Sequence, residues 1–437
     1  MNKSLTDGLI IDPSLLSSHG HHFGHVDQLR NGLKSLGTNV CALASRNVED
    51  EFARRADVVP AFERGLYYRR AFTWEEFQEL ADMFARDLEA ATKERRLRPD
   101  LLLLPTADQS MILGVAKYIQ RVRPRKQPEV LIWVLLSPHF KKPADDPAAA
   151  PMLLEYREAF AKLRCAIGDD SRMQIYTDTD AMAEVYQPVC GVRIRAITVR
   201  KPLSRLRRPR HREAGEPLNI VCAGNASKAK GYELLPETIR LLNRHRSDLR
   251  FLIHGTTKYT DFPEAKEVLA SLSSLGSNIV VRTDELSTED YIAWLYQADI
   301  VLLPYDTYVY RTMGSAVFDE ASGFGIPVVT TKGNDFSRAA IEQGRAVGVD
   351  SLDAEAVARA VSHAADRLDE ITERAVTFAK GRAVDRGVEE ILSEAVRRAD
   401  NRLTWLDRIR RIPGRAFCSM CAGEWLRGAK QLVRWLG

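Results

Sequence analysis

The stretch from Val301 to Asn334, VLLPYDTYVYRTMGSAVFDEASGFGIPVVTTKGN, limits what this chain can fold into more than any other. It opens on the apolar run Val301, Leu302 and Leu303, stopped by Pro304. It closes on Ile326, Pro327, Val328, Val329 and Thr330, stopped by Lys332 and Gly333. Uninterrupted runs of this kind suit strands of a parallel sheet covered on both faces. Between them, Ala316 to Ala321 follow Gly314 and Ser315, so the pattern predicts a helix beginning near Ser315. The free N–H groups of that helix start would face the strand mouth, a place suited to an anionic ligand. Glu320, roughly a turn and a half further on, is close enough to accept hydrogen bonds from a sugar or ribose hydroxyl. A diphosphate beside a hydroxyl acceptor describes a nucleotide-sugar site.

A second motif points the same way. Leu218 to Ala223 reads as a strand, followed by Gly224, Asn225, Ala226, Ser227, Lys228, Ala229, Lys230 and Gly231, then a helix carrying Leu234, Leu235, Ile239 and Leu242. Glycine lets backbone approach a phosphate, and Lys230 supplies the counter-charge a metal would otherwise bring. Strands at Phe251 to His254 and Ile279 to Arg282, and helices at Pro263 to Leu275 and Thr288 to Ala298, continue the alternation up to the central stretch. Such β/α alternation predicts a doubly wound parallel sheet.

Taken together, strand, Pro-Tyr, loop, Gly, Glu-Ala and Gly-x-Pro-Val-Val resemble the donor half of retaining GT-B glycosyltransferases, family four and its bacterial polysaccharide relatives. The resemblance implies a GT-B fold of two Rossmann-like doubly wound domains facing a cleft, with a C-terminal helical tail. It further implies that Gly224, Asn225, Lys230, Arg311, Gly314, Ser315 and Glu320 bind the donor, with Lys230, Arg311 and the helix start holding the diphosphate and Glu320 the ribose. Two positions depart from the family: Thr312 stands where an acidic residue is usual, and Asn225 where an Arg is usual. The implied activity is hexosyl transfer from a nucleotide sugar to a glycan or lipid-linked acceptor with retention, in polysaccharide assembly. A nucleotide-sugar epimerase of the same fold and a non-catalytic glycan- or membrane-binding relative are the alternatives. The donor is a substrate, and neither a cofactor nor a catalytic metal is expected.

With 437 residues, the chain suits two domains: 1–199 on the acceptor side, a basic linker at 200–217, and 218–400 on the donor side. Residues 401–437 form a tail. In the first domain, strands are read at Leu9 to Asp12, Val40 to Ala44, Leu101 to Leu104, Leu131 to Leu136 and Met173 to Tyr176. A long amphipathic helix is read at Trp74 to Leu97. A loop rich in Ser, His and Gly follows the first strand and holds His19, His21, His22 and His25. Imidazoles at short spacing can share a metal ion, but no cysteine stands close and Asp27 is the nearest acid, so a solvated or substrate-facing loop is favoured. His139 follows the strand ending at Leu136, where open α/β sheets place ligands. By resemblance it faces the reacting sugar, and it is the second catalytic candidate beside Glu320; a loop histidine bonded to backbone is the plainer alternative.

The formal net charge of +4 is too small to argue for nucleic acid. Six scattered cysteines form no disulfide framework, which points to a reducing cytoplasm. The tail sets Trp405, Trp425 and Trp435 among basic residues with a net charge of about +6, the composition of an interfacial helix on an anionic membrane. Packing back across the first domain is the other reading.

Overall fold

A computed structural model describes residues 6–18, 20–65, 73–139, 150–197, 213, 215–257, 262–382 and 387–403. The apolar runs become two parallel sheets. The first has seven strands: β1 (Asp7–Asp12), β2 (Asn39–Ser45), β3 (Val58–Phe62), β4 (Leu101–Leu104), β5 (Glu129–Trp133), β6 (Met173–Thr177) and β7 (Ile194–Ala196), in the order β3-β2-β1-β4-β5-β6-β7. The second has six: β8 (Leu218–Asn225), β9 (Leu249–Thr256), β10 (Ile279–Arg282), β11 (Ile300–Leu303), β12 (Val328–Thr331) and β13 (Ala346–Val349), in the order β10-β9-β8-β11-β12-β13. In both, the chain reverses direction beside its first strand, and open α/β sheets carry their ligands outside the strand ends at that reversal.

The strands were legible because both faces of each central strand are covered. Leu101 to Leu104 are all fully buried, with Leu102 and Leu104 in one core layer and Leu101 and Leu103 in the other. The second sheet is likewise covered by one layer holding Ile220, Phe251 and Leu302 and another holding Val221, Leu252 and Leu303.

The two sheets meet through the loops at their C-terminal ends. Thr179, after β6, donates its hydroxyl to the carbonyl of Thr312, and the N–H of Ala181 donates to Asp335 Oδ2 at 3.1 Å. Thr288 Oγ1 donates to the carbonyl of Ser18 at 3.1 Å. Met313 is buried within the core of the first sheet. The ligand-bearing edges of the two sheets therefore face one another.

Past the second sheet, the helix Gly387–Arg402 packs on the first one. A Cβ on Gly32 would come within 2.6 Å of Leu392, so the helix Gly20–Ser35 lies close against it. Glu129, fully buried at the start of β5, is held by Arg398 at 3.2 Å and by Arg402.

Some expectations need correction. His21, His22 and His25 lie in the helix Gly20–Ser35 and not in a loop; Gly20, at φ +76°, turns the chain into it. His19 lies outside the described residues, as do 404–437, nearly all of the tail. β5 ends at Trp133 and not at Leu136, so His139 sits in a turn six residues beyond the strand. The long helix ends at Glu94, because Arg96 takes a left-handed conformation at φ +54°.

Candidate functional site

The donor-side cluster is built from two loops locked together. β8 ends on Gly224, whose φ of +131° favours glycine, and Asn225. A single 3-10 turn, Lys228–Lys230, then reaches Gly231 at φ +69°. A Cβ on Gly231 would stand 2.3 Å from the carbonyl oxygen of Pro304, so only glycine lets this turn close on the exit of β11. The N–H of Asp306 ties the same loops by donating to the carbonyl of Ala229 at 2.9 Å.

That closure brings the predicted residues together. Lys230 Nζ would stand 2.9 Å from a Cβ on Gly224 and lies 5.8 Å from the Tyr305 ring centroid. Tyr305 is buried and its hydroxyl bonds the Ser315 hydroxyl. Ser315 caps the helix Ala316–Gly323, accepting from the N–H of Phe318 at 3.2 Å. Glu320 is buried in the second turn of that helix and meets the hydroxyl of Tyr291. Burial first, and then the Glu320 carboxylate, keeps the Tyr291 hydroxyl protonated far above its usual range, so Tyr291 donates to the carboxylate.

Other predicted residues are placed differently. Asn225 accepts from Thr256 Oγ1 at 3.4 Å, a side-chain bond to the neighbouring strand. Arg311 ends the short helix Thr307–Tyr310 with an exposed side chain, and its carbonyl accepts from the N–H of Asp335 at 3.1 Å. Gly314 backs onto the first domain, for a Cβ there would stand 2.7 Å from Asp178 Oδ2. Thr312 also faces that domain, its hydroxyl 3.9 Å from Met182 Sδ.

On the acceptor side, His139 is half buried, and its Nδ1 has no hydrogen-bond partner among the described residues. Burial lowers its pKa, so the ring is held neutral. A second group was not singled out from the sequence. Asp12, fully buried at the end of β1, accepts from His22 Nδ1 at 2.8 Å, and the Thr106 hydroxyl donates to Asp12 Oδ2 at 3.2 Å. A buried aspartate ending an apolar strand was the available signal. No group of three or more metal-type ligands occurs among the described residues.

Residues 217–367 match the family model of the glycosyl transferases group 1. No curated protein matches the sequence. Among solved structures, the chain is similar to a sucrose-phosphate synthase from Thermosynechococcus elongatus, at 15% identity and TM-score 0.63, covering 90% of this chain and 98% of that one. It is similar to the E. coli trehalose-6-phosphate protein bound with UDP-2-fluoro glucose, at 11% identity and TM-score 0.61, covering 90% and 99%. A putative UDP-N-acetylglucosamine 2-epimerase from Listeria monocytogenes follows at 13% identity and TM-score 0.53, covering 91% and 96%. At these identities the likeness establishes the fold. The chain has the GT-B fold, and its residues 217–367 are similar to the glycosyl transferases group 1.

Proposed function

We propose that the protein moves a hexosyl group from a nucleotide-sugar donor to a glycan or lipid-linked acceptor, with retention, in polysaccharide assembly. The observation that carries this reading is the convergence of Gly224, Lys230, Ser315 and Glu320 around Tyr305, at the strand ends facing the first domain. Lys230, with Arg311 and the backbone from Gly314 and Ser315, neutralises the charge that grows on the departing diphosphate. Glu320, aligned by Tyr291, accepts hydrogen bonds from the ribose. His139, kept neutral, faces the transferred sugar from the other side of the cleft. The donor is the substrate, and no separate cofactor or metal takes part. The basic, Trp-bearing tail docks the protein on the inner face of a membrane from the cytoplasm, although no described helix is long and apolar enough to cross one.

Two substitutions separate a transferase from a binding relative. Lys230→Ala and Glu320→Gln each abolish sugar transfer in an assay of nucleoside diphosphate release, whereas a glycan-binding module keeps its partner affinity after both changes. An epimerase, as the Listeria neighbour is described, converts a nucleotide sugar without any acceptor, which product analysis by NMR distinguishes.

A further inference from the structure

The loop that leads through Arg311 to Ser315 is tied to the first domain, directly or through one residue, at every position from 311 to 314. The carbonyl of Arg311 accepts from the N–H of Asp335 at 3.1 Å, and the next carbonyl, that of Thr312, accepts from the Thr179 hydroxyl. Met313 is buried in the core of the first sheet, where Val309 and Tyr310 also pack. The backbone of Gly314 is not left-handed, yet a Cβ there would stand 2.7 Å from Asp178 Oδ2. Glycine is needed at that point for the approach of the first domain. The hydroxyl of Thr312 lies 3.9 Å from Met182 Sδ, so this side chain serves the same contact.

On the first domain the counterpart is one helix start. Thr179 caps the helix Asp180–Cys190, accepting from the N–H of Met182 at 3.1 Å. Because the same hydroxyl donates to the Thr312 carbonyl, one oxygen both starts the helix and holds the donor loop. Asp335 Oδ2 accepts from the N–H of Ala181 at 3.1 Å, which sets a carboxylate at the positive end of that helix. The Asp335 side chain is only 8% exposed, and Oδ1 pairs with the exposed Arg338 at 2.7 Å. Asp335 is thus a clip with two ends, its carboxylate on the helix start and its N–H on the Arg311 carbonyl. Together the clip and Thr179 fix two consecutive peptide units just ahead of the Ser315 cap.

We propose that Asp335 and Thr179 are positioning residues of the donor site. They set the backbone from Arg311 to Ser315 in the geometry that receives a nucleoside diphosphate, without touching the ligand themselves. The role rests on the donor-site reading and adds that nucleotide affinity is set in part by a helix of the other domain. Coupling of this kind is reciprocal. A nucleotide that favours the held loop therefore also firms the start of the helix Asp180–Cys190.

Full-length variants are compared by calorimetric titration with UDP, GDP, ADP and CDP, by thermal unfolding without nucleotide, and by amide hydrogen exchange. Asp335→Ala and Thr179→Val are expected to weaken binding of whichever nucleotide the parent binds by about fivefold or more. Asp335→Asn and Thr179→Ser keep an oxygen on the same partners and are expected to bind as the parent does. In the parent, exchange at the Ala181 and Met182 amides should slow when that nucleotide binds. A lowered unfolding midpoint with unchanged affinity overturns the positioning role, as does an equal loss in the conservative and the truncating variants. Parent exchange at these two amides that ignores the nucleotide overturns it even if the truncating variants do not fold. A parent that binds none of the four nucleotides overturns instead the donor-site reading on which the role depends.

Discussion

The strand ends of the two domains solve different problems with different residues. In the first domain the site is side chain on side chain, with a buried carboxylate, an imidazole and a hydroxyl assembled before any ligand arrives. In the second it is a backbone cradle, where Gly224 and Gly231 let the loops close and side chains of Lys230, Ser315 and Glu320 gather around one tyrosine. Burying a charge needs a partner in place, so the first cluster is complete by itself. A cradle for an anion must instead leave donors for the ligand, so the second is shaped by what glycine omits.

This contrast predicts that the two regions break differently. The largest effect is expected at Gly231→Ala, where a Cβ meets the Pro304 carbonyl and a left-handed φ is strained. Nucleoside diphosphate affinity should collapse, and stability should fall by roughly 1–3 kcal/mol, both read in one thermal unfolding series with and without nucleotide. Lys230→Ala comes next, since it removes a charged donor without touching the backbone. Affinity should drop by about tenfold or more by calorimetric titration, while the unfolding midpoint without ligand stays put.

The first domain also offers a smaller test that leaves both clusters intact. Asp108 caps the helix Gln109–Gln120 through the N–H of Met111 at 2.8 Å, yet burial pushes its pKa up to about 7. An acid raised above its ordinary value binds its proton more tightly when folded, so its ionisation costs stability as pH rises from about 4 to 7. Asp108→Asn keeps the cap and removes that cost. The variant's unfolding midpoint should exceed the parent's at pH 8, with the gain shrinking toward pH 4.

Much of this architecture was legible in the sequence, for reasons that also explain what was not. Central strands such as Leu101 to Leu104 announce themselves because both faces are covered. The edge strands β3 and β7 escaped, since Pro60 and Arg195 are both exposed, which breaks any apolar run. Ser315 was readable as a helix cap because capping is local. Asp178 against Gly314 was not, because the two lie far apart in sequence and meet only when the domains do. The His22 partnership was hidden for a related reason: the turn at Gly20 swings the helix start back over the end of β1. The helix Gly387–Arg402 has an amphipathic face, which says only that something covers it, and the cover is the first domain.

The most direct test of the donor-site claim is a thermal-shift titration with UDP, GDP, ADP, CDP and their common sugar conjugates. A ligand at 100 times its dissociation constant stabilises the folded state by about 2.7 kcal/mol. The account predicts such a shift with one nucleotide family, reduced in Lys230→Ala and Glu320→Gln and retained in His22→Gln. No shift with any of them, or one that survives both donor-site substitutions, would contradict it.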